Sequence, residues 1–67
     1  MRTSILIAPN GDCFVEDYFP SDGAVYTHGA YSLPVARYIA GRGAREEHVQ
    51  EYSDSLQRAR SNEGDEQ

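Results

Sequence analysis

The chain has 67 residues and one cysteine, with a net charge of −5 and a sequence pI ≈ 4.7. That length allows a single domain, which buries only about 60% of its unfolded surface, and a lone Cys13 excludes an intramolecular disulfide and suits a reducing interior. The charge balance argues against direct nucleic-acid binding, where neutralised phosphates supply most of the affinity, and favours a basic protein surface as partner.

Charge is unevenly spread. Residues 1 to 32 are net −3, residues 33 to 43 net +2 and residues 44 to 67 net −4. The apolar run in RTSILIAP is too short for a signal peptide and breaks at Pro9. No stretch approaches the ~20 apolar residues of a membrane span. These features read as a soluble, cytoplasmic protein without membrane association.

Residues 3 to 8, TSILIA, have the β-branched and apolar content of a strand. Pro9, Asn10 and Gly11 then suit a three-residue hairpin turn: Pro9 presets φ, and Gly11 takes the left-handed position of a bulge. This turn fixes a register with Ile7 opposite Cys13, Leu6 opposite Phe14 and Ile5 opposite Val15. Alternation puts Ile5, Ile7, Cys13 and Val15 on an apolar face, the expected core. Ser4, Leu6, Phe14, Glu16 and Tyr18 fall on a mixed face, expected to be partly exposed.

The break FPSDG leads to a third short strand, AVYTH at residues 24 to 28, with HGAYS as loop. SLPVARYIAG reads as a short helix capped by Ser32, with Pro34 in its first turn and Gly41 and Gly43 ending it. The spacing of Val35, Ala36, Tyr38 and Ile39 predicts its inner face. Residues 44 to 60 read as a longer helix with a Val49, Tyr52, Leu56 and Ala59 stripe and an acidic face of Glu47, Glu51 and Asp54. Residues 61 to 67 lack an apolar anchor and read as a disordered acidic tail. The expected fold is α+β: one domain over residues 1 to 60, a small antiparallel sheet packed by one or two C-terminal helices, in the order β-β-β-α-α.

Several chemical constellations are weak. His48 and Glu51 have the reverse of the Glu-x-x-His order of carboxylate metal helices, on one helix only. Cys13 and His28 lack an orienting group and a cleft, and Cys13 lies on the apolar face. Arg37, Arg42 and Arg45 cluster around GRGAR, but the following segment carries Glu46, Glu47 and Glu51 where a DNA reader needs Arg, Asn or Gln. No catalytic residue, metal ligand or cofactor site is therefore assigned.

The tyrosines carry the most suggestive pattern. Tyr18, Tyr26 and Tyr31 are interleaved with Glu16, Asp17 and Asp22, and tyrosine gives contact area at low entropy cost. The candidate partner-binding set is Glu16, Asp17, Tyr18, Asp22, Tyr26, Tyr31, Glu47 and Glu51. The expected function is a small acidic protein-binding module, an inhibitor or regulator of a larger basic, nucleic-acid-handling partner. Its size and acidity are similar to those of phage-encoded inhibitors of host defence, anti-CRISPR and DNA-mimic proteins, which work in the host cytoplasm; no motif carries the likeness. The alternative is a self-associating homodimeric module, because a thin core and open sheet edges need cover.

Overall fold

A computed structural model describes residues 1 to 54 and 56 to 59; the expected tail at 61 to 67 lies outside the described residues. Among the described residues, four strands and one full helix follow in the order β1 (Arg2–Ile7), β2 (Cys13–Phe19), β3 (Ala24–Tyr31), α1 (Leu33–Ala40) and β4 (Arg45–His48). Asp54 and residues 56 to 59 are also helical. The class is α+β, as expected. The sheet order is β3-β2-β1-β4. β1–β2 and β2–β3 are antiparallel, whereas β4 runs parallel to β1. The sheet is thus mixed, not purely antiparallel.

The first hairpin follows from its turn. Ala8 N–H donates to the Asp12 carbonyl at 2.8 Å, and Gly11 N–H donates to the Ala8 carbonyl at 2.9 Å. Gly11 has φ 93°, the left-handed position that favours glycine. The Asn10 side-chain oxygen accepts from Asp12 N–H at 3.1 Å and braces the turn. Ile5, Leu6 and Ile7 accordingly face Val15, Phe14 and Cys13.

The apolar face carries α1. Ile5, Cys13, Val15 and Ala36 form a fully buried cluster, with Ile7, Tyr31, Leu33, Ala40 and Ala44 packed around it. The inner face of α1 differs from the expected one. Small Ala36 lets the helix sit close on the sheet, and Leu33 and Ala40 complete the contact, so the larger side chains rotate outward. Tyr38 is 89% exposed, Val35 45% and Ile39 43%.

The mixed face is covered in part: Ser4, Leu6, Glu16 and Tyr18 are half-buried, as expected, but Phe14 is not partly exposed. Phe14 is 0% exposed, in a second cluster with Ala8, Leu56 and Ala59, flanked by Leu6, Ala30, Val49 and Tyr52. Burying a side chain such as Phe14, Ile5 or Val15 is worth about 1.5–3 kcal/mol each. One sheet therefore serves two small cores.

Residues 44 to 60 do not form one helix. Arg45–His48 is a strand, and helix begins only at Asp54. Helix propensity is a weak prior here. The open edge of β1 supplies backbone partners, and Val49 N–H extends the contact to the Ile7 carbonyl at 2.9 Å. Ser53 Oγ accepts from Leu56 N–H at 3.4 Å, as an N-cap does. The stripe residues still converge on one cluster although residues 49 to 53 are not helical. β3 is also longer than AVYTH, running through Gly29 and Ala30 to Tyr31 past a register shift opposite Cys13 and Phe14. Among the described residues, no helix is long and apolar enough to cross a membrane.

Candidate functional site

Strand alternation divides the candidate partner-binding residues between the two faces of the sheet. Glu16 and Tyr18 of β2 lie on the face away from α1, across from Ser4 and Arg2 of β1. Parallel pairing of β4 puts Arg45 beside Ser4 and Glu47 beside Leu6. Arg2, Ser4, Glu16, Tyr18, Arg45 and Glu47 line an open hollow of about 410 Å³. Ser4, with its short side chain, lies between Glu16 and Arg45. Glutamate and arginine each occur twice in the wall, and Tyr18 is its aromatic member.

Asp17 and Tyr26 lie on the opposite, α1-bearing face. Thr3 Oγ1 donates to Asp17 Oδ1 at 2.9 Å across the hairpin. Tyr26 is 61% exposed and meets Phe19 edge to face, with ring centroids 5.6 Å apart. Tyr31 is half-buried against the α1 cluster, its hydroxyl 2.7 Å from His28 Nδ1. Asp22 sits in the β2–β3 turn and accepts from Ala24 N–H at 3.0 Å. Glu51 is exposed in the segment after β4. The structure thus joins Glu16, Tyr18 and Glu47, and separates them from Asp17, Tyr26 and Tyr31.

Arg37 reaches β4, and Arg45, on β4 itself, lines the hollow. Arg37 holds Glu46 in a bidentate pair, Nε to Oε2 at 2.7 Å and Nη2 to Oε1 at 3.0 Å. The hydrogen bond from Arg37 keeps the Glu46 carboxyl below its ordinary range and raises Arg37 in turn. Among the described residues this is the ion pair within 4.0 Å. Exposed Asp22, Glu47, Glu51 and Asp54 stand outside it.

Cys13 is 1% exposed, and its thiol is 3.6 Å from the Gly11 carbonyl. Burial raises its pKa, and the Asp12 and Glu46 carboxylates push the same way. The thiol therefore stays protonated and behaves as a small apolar group. No cluster of three or more His, Cys, Asp and Glu fit to hold a metal occurs among the described residues.

Arg2, Ser4 and Arg45 belong to the hollow but not to the set read from the sequence. Arg2 and Ser4 were reachable from the hairpin register, which puts them opposite Tyr18 and Glu16. Arg45 depends on the pairing of β4, and REEH has no apolar residue to signal a strand. Comparison of the chain with protein-family models, with curated proteins and with solved structures gives no match.

Proposed function

We propose that this chain is a small protein-binding module that inhibits or regulates a larger partner through that partner's basic, nucleic-acid-handling surface. The observation that supports this reading is the placement of its carboxylates. Asp22 at the hairpin tip, Glu47 on β4, and Glu51 and Asp54 beyond it are exposed, while the internal ion pair uses Glu46. Exposed acids outside that pair attract a basic surface and speed encounter with it.

The hollow gives that attraction a specific seat. Glu16 and Glu47 offer carboxylates, and Tyr18 a ring, to one arginine side chain of a partner. Arg2 and Arg45 in the same wall repel a second positive charge and so restrict which partner fits. Discrete recognition of this kind agrees better with the geometry than imitation of DNA. A phosphate-like row along β2 would need Glu16 and Asp17 on one face, and alternation puts them on opposite faces.

The test is affinity capture from host lysate with the wild-type chain and with Glu16→Arg/Glu47→Arg. The wild type is expected to retain a basic protein at low salt, to release it as salt rises, and to lose it in the double variant. If nothing is retained at low salt, or if the double variant retains the same protein equally well, the reading is wrong.

A further inference from the structure

The two edges of the sheet are built differently. β4 is short, with four exposed residues, Arg45, Glu46, Glu47 and His48, the composition that guards an edge against pairing. β3, the other edge, has eight residues, AVYTHGAY, with no lysine, arginine, aspartate, glutamate or proline. Val25 is 52% exposed on one of its faces and Tyr26 61% on the other. A long, uncharged outer strand of this kind is a template for another strand.

The helix beside it is apolar on the matching flank. Ala36 points to the sheet, and Arg37 reaches Glu46 on β4. Helical residues turn by about 100° each, so Val35 and Ile39 lie on the flank opposite Arg37, toward β3. Both are nearly half exposed. Among the described residues, the β3 edge strand, Tyr26 and this flank present a strip of exposed side chains without Lys, Arg, Asp or Glu.

We infer that two copies of this chain pair through their β3 strands, antiparallel about a two-fold axis, into one continuous eight-stranded sheet. A second copy fits this strip on three grounds. The strand is uncharged, so two chains of net charge −5 approach along their least repulsive side. Antiparallel pairing of a strand with itself satisfies two-fold symmetry, in which one patch serves both partners. The same operation puts both α1 helices on one face, with Tyr26 from each copy in the trough between them and Val35 and Ile39 as its walls. Pairing would also add burial to a chain whose cores are small. The inference is independent of the proposed function, whose hollow is lined by residues of β1, β2, β4 and the loop before β4 and by none of β3.

Sedimentation equilibrium from low to high micromolar concentration reads the mass directly. The expected result is a rise from the 7.5 kDa of one chain toward twice that value, with association weakened at least tenfold in Tyr26→Lys. Amide hydrogen exchange on the wild type gives a second readout that needs no variant: β3 amides slow as concentration rises, and β4 amides do not. A single 7.5 kDa species throughout, a folded Tyr26→Lys chain that associates like wild type, or concentration-dependent protection at β4 in place of β3 would each overturn the inference.

Discussion

Gly29 lies so close to Phe14 that a Cβ at position 29 would stand 2.6 Å from Phe14 Cδ2 and 2.9 Å from the Cys13 carbonyl oxygen. The two residues are cross-strand partners, and one lacks a side chain where the other fills the space. Gly29→Ala should therefore destabilise the fold by about 1–3 kcal/mol, the usual cost of overpacking. Urea denaturation should show a lowered midpoint, and shortening the ring in Gly29→Ala/Phe14→Leu should recover part of the loss relative to Phe14→Leu alone. An unchanged midpoint in Gly29→Ala would mean that the strands separate there without cost.

The C-terminal segment is a wall of the second core rather than an appendage. Leu56 is 3% exposed against Phe14 and Ala8, and Tyr52 meets Phe14 edge to face at 5.8 Å. Leu56→Ala should cost about 2–5 kcal/mol, a large fraction of the stability of so small a domain. Thermal unfolding followed by circular dichroism checks this; a shift no larger than that of an exposed control such as Gln57→Ala counts against the second core.

Cys13 should be inert in the native protein. Its thiol is buried and its pKa raised, so alkylation near neutral pH should proceed only as fast as the chain opens. Adding urea should accelerate labelling in step with unfolding. Labelling of the folded chain at the unfolded rate would contradict the burial.

The Arg37–Glu46 pair should have a small effect with a defined pH sign. Both residues are exposed, and pairs of this kind add little to stability. Because the folded-state pKa of Glu46 is lowered, the pair's contribution is present above the ordinary value of 4.5 and is lost as pH falls through the folded value. The difference in melting temperature between wild type and Glu46→Gln should follow that course and shrink with salt. A difference that grows in acid would exclude the assignment.

Local chemistry made the first hairpin legible. Pro9, Asn10 and Gly11 admit one turn, and the turn sets every pair from Ile7–Cys13 to Arg2–Tyr18. The existence of α1 was equally readable from Pro34 and Gly41, although Ser32 stands at the N-cap without a side-chain cap bond, but its rotation was not. Hydrophobicity points to Tyr38 and Ile39, whereas close approach to Ile5, Cys13 and Val15 selects Ala36. β4 was hidden for a different reason: Arg45, Glu46 and Glu47 are good helix residues, and only the vacant edge of β1 makes them a strand. The candidate site was legible to the same degree. Glu16 and Tyr18 follow from the hairpin, while their neighbours Arg45 and Glu47 arrive through a pairing between distant parts of the chain.

That distant pairing governs how the molecule assembles. β1, β2 and β3 meet through short turns and can zip together early, because closing a short loop costs little entropy. β4 reaches the outer edge of β1 only after the chain has passed through β3 and α1, and Leu56 joins later in chain order still. Non-local contacts of this kind slow folding. A meander that has formed without β4 offers two bare strand edges and an uncovered Phe14, so its lifetime, more than the stability of the finished fold, sets how readily the chain aggregates while folding.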